Sequence, residues 1–473
     1  MRTFGRMVLY TNADVIDESN IVAELHNIQA NHTKNVSEIK YLYNYYKGKQ
    51  PILYRKKKIR PEICNKVVEN RANEIVSFKT GYLVGEPIQY VSQHPETSES
   101  VEKLNSFLRI ENKATKDTNL CDWQNICGTA YRMILPKADY SEADGTSPFD
   151  LYTLEPYNAF VVYSSKIGNK PMFCGFTYQN SDHTITYCVY TKDKYFEINS
   201  QSILKAEDYT LGILPIIEYP ANEARLGAFE IVIDVLNAMN TFSSNRLDGI
   251  EQFIQSLMVL INFELPEGVE AKDLRENGFI QLISNGQNQP DIKILAEQLD
   301  QTQNQTLKDD MYQTVLTIVG MPSQGNGASD SSNNGAVILK NGWQSAEARA
   351  KKSEAIWRES ETEAIRLMLR ICRDLTDIDI MVADVSVKFT RRNYADISTK
   401  SNVLVALLNN PYVAPIDAYT VCGLFADPEE ACNRGLKYHE ENKQTQTTTP
   451  KTEPIDESVN ENNGTEVNGT NIS

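Results

Sequence analysis

The sequence has little from which an enzyme could be built. Its eight cysteines are scattered, Cys121 and Cys127 being the closest pair, and no CxxC occurs. The five histidines, His26, His32, His94, His183 and His439, are equally dispersed, and HExxH is absent. Zinc sites need ligands at short, regular spacings, so no metal site is expected and the cysteines read as reduced, buried thiols. There is no GxxxxGK[ST] to cradle a triphosphate and no GxSxG elbow, so neither a cofactor nor a catalytic residue is expected. No apolar run approaches the ~18–20 residues of a membrane span. The start, MRTFGRMVLYTNADV, lacks the apolar core and cleavage site of a signal peptide, so nothing directs the chain out of a cytoplasm.

Positive charge is also short. Lys and Arg number 47 against 63 Asp and Glu, a net charge of −16. Proteins that grip DNA are basic, because counterion release from phosphates drives their affinity. This balance argues against a transcription factor or a polymerase. It does not exclude a protein past which DNA slides. The one basic run, Arg55 to Arg60, reads as a solvated loop rather than a nucleic-acid patch. Paired acids at Asp309-Asp310 and at Glu359, Glu361 and Glu363 fall on helices expected to be solvated, which makes them structural charge. The segment from Asp330 lacks the twelfth-position Glu of a calcium loop. A rival enzyme reading, a nuclease or glycosidase with dispersed carboxylates, requires a deep cleft with clustered acids.

With 473 residues the chain is too long for one core, and two or more domains are expected. Residues 1–35 read as a polar arm with a short helix near Ile21–Ile28. A helix follows from Val36 to Tyr46, with Gly48 as its C-cap, and another from Asn65 to Phe78. Residues 88–91 alternate as a strand, and 98–127 read as helical. Residues 129–220 are β-rich, with strand runs separated by Gly, Asn, Asp and Ser. Residues 225–262 carry no proline, and as one helix would extend ~57 Å. Two short strands are expected at 279–282 and 292–295, with turn residues between them. A second helix covers 297–319. Residues 320–334 form a polar loop rich in Gly, Ser and Asn. A third long helix runs from 335 to 375 with Gly342 as its kink. Val385–Thr390 reads as a strand and 396–437 as helical. From Glu440 onward almost nothing is apolar, and disorder is expected.

Several strings in this order carry a resemblance. They are Tyr45-Tyr46-Lys47-Gly48; Lys79-Thr80-Gly81-Tyr82-Leu83-Val84-Gly85-Glu86-Pro87; and Gly320-Met321-Pro322 followed by Asn334-Gly335-Ala336-Val337-Ile338-Leu339-Lys340. Phe389 to Asn393 and Asp427-Pro428-Glu429-Glu430 complete the set. The chain resembles the portal proteins of tailed bacteriophages, the SPP1-type siphophage family. Where family members carry a Ser-Gly-Val-Ala-like string, this chain has Asn-Gly-Ala-Val.

The resemblance covers about residues 36–437 and implies an α+β portal fold. Residues 1–35 would be an N-terminal arm and 36–224 an α+β wing. Residues 225–262 would be a stem helix, 263–296 a small β-containing clip, and 297–319 the returning stem helix. A tunnel loop would cover 320–334. The kinked channel helix and a wing strand would fill 335–395, a helical crown 396–439, and a disordered polar tail 440–473. The resemblance further implies a ring of about twelve copies, closed head to tail, at one capsid vertex. Its implied partners are double-stranded DNA, the large terminase subunit, head-completion or adaptor proteins, and the major capsid and scaffolding proteins. The virion is the implied location, after assembly in the host bacterial cytoplasm.

Within that frame, Ser323, Gln324, Asn326, Ser329, Asp330, Ser331, Ser332, Asn333 and Asn334 would face DNA. Residues 320–334 hold one charge, Asp330, and no Lys or Arg. Short polar side chains make exchangeable, water-mediated contacts with a moving backbone. Phe279, Ile280, Gln281, Leu282, Asn285 and Gln287 of the clip would meet neighbouring subunits or the terminase.

Overall fold

The computed structural model describes residues 3–58, 60–199, 201–254, 257–261, 291–295, 301–323, 342–390, 397–425 and 428–446. The chain forms two compact units, Met1–Ala395 and Asp396–Ser473. Both helices and sheets are present, in the expected α+β mixture. Among the described residues no helix is long and apolar enough to cross a membrane.

The first strand, β1 (Leu9–Thr11), precedes helix α1 (Ile21–Tyr46). The polar start of the chain is therefore no free arm. β1 pairs in parallel with β5 (Ala159–Ser164). Arg6 is buried between Glu38 at 3.1 Å and Glu230 at 2.7 Å. Helix α1 runs unbroken because its polar middle is used: Asn35 accepts from the Met7 N–H at 2.9 Å and donates to the Met7 carbonyl at 2.7 Å. Its first half buries Ile21, Leu25 and Ile28 in one core, and its second half Ile39, Leu42 and Tyr45 in another. Gly48, at φ +87°, follows the helix as its capping glycine.

Helix α2 (Arg71–Val84) starts later than the apolar spacing predicts and continues through Gly81. Residues 65–69 are held extended by helix α5 (Ile233–Ile254) instead. The N–H groups of Asn65, Val67 and Glu69 donate to Asp248 Oδ1, Ser244 Oγ and Asn240 Oδ1 at 2.7, 2.9 and 3.0 Å. Every second residue of an extended segment thus meets every fourth residue of a helix, the natural match between the two periods. Arg55 and Lys57 of the basic run also reach Asp248, at 3.0 and 3.1 Å. Two of the five basic residues expected to be solvated are thereby turned inward.

Strand β2 (Gln89–Ser92) leads to α3 (Ser98–Ile110) and α4 (Lys113–Cys127). The break between the two helices falls at Asn112, φ +51°. Strands β3 (Thr129–Pro136), β4 (Phe149–Leu154) and β10 (Ile216–Pro220) form a three-stranded antiparallel sheet in the order β10-β3-β4. Strands β6 (Pro171–Gln179), β7 (Ile185–Tyr190), β8 (Lys194–Ile198) and β9 (Ile203–Asp208) complete a six-stranded sheet, β1-β5-β6-β7-β8-β9. Strand alternation assigns the faces. Ala159, Val161 and Cys174 pack against Tyr131, Met133 and Ile216 of the smaller sheet. Phe160, Val162 and Phe173 face α1. β3 is buried on both sides: Tyr131 and Met133 meet the larger sheet, while Ala130 and Ile134 meet the helices.

Helix α5 ends at Ile254, and the apolar run Leu257–Ile261 is strand β11 rather than its continuation. A short run of Leu, Met, Val and Ile suits either state by periodicity. β11 pairs antiparallel with β12 (Asp291–Leu295). Of the two strands expected in this insert, 292–295 is therefore present with β11 as partner, and 279–282 lies outside the described residues. A returning helix spans Gln301–Val319 and a long helix Trp343–Leu375. Strand β13 (Val385–Lys388) pairs with β2.

Among the described residues the second unit holds three helices, Ile397–Leu408, Pro415–Cys422 and Pro428–Gln446. Leu404, Ala418 and Cys422 form its small core. The last helix reaches Gln446, past the point where the polar tail was expected to start.

Candidate functional site

The residues expected to face DNA or partners fall mostly outside the described residues. That holds for Gln324, Asn326, Ser329, Asp330, Ser331, Ser332, Asn333 and Asn334, and for Phe279, Ile280, Gln281, Leu282, Asn285 and Gln287. Ser323 is described and half-buried. The two points between which residues 324–341 run are also described, and they meet. Pro322 lies beside Gly342, close enough that a Cβ at Gly342 would stand 3.8 Å from the Pro322 Cα.

Each end is built to turn the chain. Val315 and Val319 bury the last turn of the returning helix, and Gly320 follows at φ +73°. The Met321 N–H donates back to the Leu316 carbonyl at 2.9 Å, the closing bond of a left-handed cap. Arg349 of the long helix donates to the Ile318 and Thr317 carbonyls at 2.6 and 3.3 Å. It thereby satisfies acceptors that a helix end leaves open. Gly342, expected as a kink within a helix, instead precedes the long helix at φ +77°. Its carbonyl accepts from the Ser345 and Ala346 N–H groups at 3.1 and 3.2 Å. Trp343 packs against Phe78 and Tyr82 of α2, with ring centres 6.1 and 5.9 Å away. Tyr82 Oη donates to Glu347 at 2.9 Å.

Further along, the long helix is clamped to the sheets by buried charge. Glu359 and Glu363 are exposed, as the sequence predicts, but Glu361 is wholly buried. The expectation of a solvated acid fails there because β3 and α4 supply its counter-charges. Lys113 Nζ lies 3.0 Å and Arg132 Nη1 3.6 Å from the Glu361 carboxylate. Tyr90 and Tyr219 donate their hydroxyls to it at 2.7 and 2.9 Å. Asp117 balances the second cation, accepting from Lys113 at 2.7 Å and from Arg132. Burial alone would raise the Glu361 carboxyl, but Lys113 and Arg132 hold it well below the usual range. Trp357, one turn earlier, is fully buried with its ring centre 5.1 Å from that of Tyr219. No sequence signal marks Glu361 apart from its neighbours, although Trp357 at i−4 places it on the apolar face.

These contacts hold and orient elements; no arrangement among them suggests bond-making chemistry. Two carboxylates and two cations neutralise one another in a sealed core. What is positioned, at the head of the long helix, is the pair of segments that flank residues 324–341.

A family model described as phage portal protein, SPP1 Gp6-like, matches residues 25–412. The chain belongs to this portal family. Portal proteins are structural proteins of the phage virion, which is the class that the sequence resemblance implied. Three solved structures with partial similarity come from gene transfer agent particles. The neck of an empty particle, computed with C6 symmetry, is 12% identical with TM-score 0.44, covering 75% of this chain and 90% of that one. The neck of a native particle, computed with C12 symmetry, is 11% identical with TM-score 0.43, covering 76% and 91%. The virion of a native gene transfer agent gives 12% identity and TM-score 0.41, covering 75% and 89%. No curated protein matches the chain in sequence.

Proposed function

We propose that the chain is one subunit of a ring of about twelve copies that forms the DNA channel at one capsid vertex. The family match across residues 25–412 carries this reading. The ring would dock the large terminase subunit during packaging and head-completion or adaptor proteins afterwards. It would sit among major capsid and scaffolding proteins, be assembled in the host cytoplasm, and later pass the genome out. The charge supports the reading. At −16 per copy, a ring carries on the order of −190 charges, and phosphate is repelled rather than held. Negative-stain microscopy of the purified protein, with its mass from light scattering, tests it. Rings with a channel wide enough for duplex DNA are expected, and a compact monomer bearing a deep acidic cleft would overturn the proposal.

Two finer assignments belong to the same reading. Residues 320–334 line the constriction and touch DNA without sequence preference, which the meeting of Pro322 and Gly342 supports, because it lets the segment start and end at one point. Changing Asn333 and Asn334 to Lys should slow packaging in a motor assay; an unchanged rate counts against the assignment. Residues 263–296 form the clip, with Phe279, Ile280, Gln281, Leu282, Asn285 and Gln287 facing neighbours or the terminase. Deleting 279–295 should abolish ring assembly or terminase binding, and survival of both would refute it.

A further inference from the structure

Beside the loop ends lies a cavity of about 230 Å³, walled by α2, α4, residues 221–231, the end of the returning helix and the start of the long helix. Its polar lining includes Lys79, Arg349, Asn125, Asn222 and Ser353, and no Asp or Glu is among the described lining residues. That is unusual in a chain with 63 acids. Lys79 has no hydrogen bond or ion pair among the described residues, whereas Arg6, Lys113, Arg132 and Arg225 each meet a buried carboxylate. Burial, and then the nearby Arg349 charge, lower the Lys79 ammonium to about 8. Arg349 is exposed but its charge reaches the largely buried Lys79 ammonium, and an anion beside the two offsets both that repulsion and the burial of Lys79. A water molecule occupies about 30 Å³, so the cavity has room for a phosphate-sized group.

We propose that this cavity is an oxyanion site, completed by Lys79 and Arg349, that takes a free phosphate group. Arg349 already holds the Thr317 and Ile318 carbonyls with its guanidinium. An anion on its other side fixes Arg349 in place and so links α2, the returning helix and the long helix at the loop root. The inference rests on the cavity and stands whether or not the chain forms a ring.

Calorimetric titration of the full chain with inorganic phosphate, at constant ionic strength held with sodium chloride, tests it. Saturable binding is expected for the wild type. Lys79→Met should weaken it at least about tenfold, the scale of one lost charge-assisted hydrogen bond. Lys79→Arg, which keeps the charge, should bind within a few-fold of wild type, and guards against a misfolded Met variant. Lys352→Met, exposed on the long helix that carries Arg349 and outside the lining, should change nothing. Absence of saturable binding, or equal affinity in wild type and Lys79→Met, overturns the proposal. If phosphate binds only dissociated subunits and Lys79→Met weakens their association, a carboxylate of a second copy fills the cavity and the free-phosphate assignment fails.

Discussion

The two halves of the long helix are held by different physics. From Trp357 onward it lies in a dry core, where Ala364, Ile365, Leu367, Met368 and Ile371 are buried and Glu361 is neutralised by matched charges. Before Trp357 its contacts are mostly polar and half-exposed: Tyr82 on Glu347, and Arg349 on two carbonyls. Only Ala346 and Ala350 are buried there, and small side chains contribute little burial. One helix therefore joins a fixed anchor to an end whose contacts can be exchanged. Local opening follows the density of buried contacts, so the end next to the loop should open at lower free energy than the anchored half.

Glu361→Gln gives the largest expected effect. It leaves Lys113 and Arg132 with Asp117 as their sole acid, and breaking a buried charge set by removing one partner costs about 3–5 kcal/mol. Urea unfolding followed by tryptophan fluorescence reads the loss. A change under about 1 kcal/mol would mean that apolar packing alone anchors this half. Acid sharpens the point. The Glu361 carboxyl is depressed below its ordinary 4.5, so its contribution is complete above that pH and is lost as pH falls through the lower folded value. The gap between wild type and Glu361→Gln should therefore narrow on acidification, and a constant gap would assign the loss to shape rather than charge.

A matched pair of hydroxyl deletions compares the halves directly. Tyr90 donates to Glu361 at 2.7 Å in the core, and Tyr82 donates to Glu347 at 2.9 Å near the loop end. The bond type is the same and the surroundings differ. Tyr90→Phe should cost about 1.5–3 kcal/mol, the range for hydrogen bonds to buried charge. Tyr82→Phe should cost about 0.5 kcal/mol, because water can replace the bond. Equal losses in the two variants would erase the distinction.

Much of this arrangement was legible in the sequence, and the exceptions share a cause. The β-rich stretch, the capping Gly48 and the order of the long helices follow from local periodicity and turn chemistry. The start of α2 does not, because Asn240, Ser244 and Asp248 capture the backbone of residues 65–69 from a distant helix. Nor does the unbroken α1, whose polar middle is satisfied by Met7 through Asn35. Glu361 reads as one of three alike acids, and only the arrival of Lys113 and Arg132 from other elements separates it from Glu359 and Glu363. In each case a polar side chain with a long-range partner overrode a pattern that neighbouring residues alone suggested. The Lys79 cavity is the reverse case: no acid is among the described residues that line it, which no local string records.

Gly320→Ala probes the end of the returning helix itself, with the most local of the expected effects. At φ +73° an alanine is strained by about 1–2 kcal/mol. Its Cβ would also stand 2.3 Å from the Arg349 Cδ, so Arg349 must move off the carbonyls it holds. The global loss should stay near that strain, because Arg349 is a flexible, exposed side chain. The local consequence should be larger than the global one, since the last turn of the returning helix loses its cap while the Glu361 clamp is untouched. Hydrogen exchange of residues 316–321 should then accelerate, with β3 and the second half of the long helix unchanged. Acceleration spread evenly over both halves would show that they open as one unit, and the separation of anchor from exchangeable end would not hold.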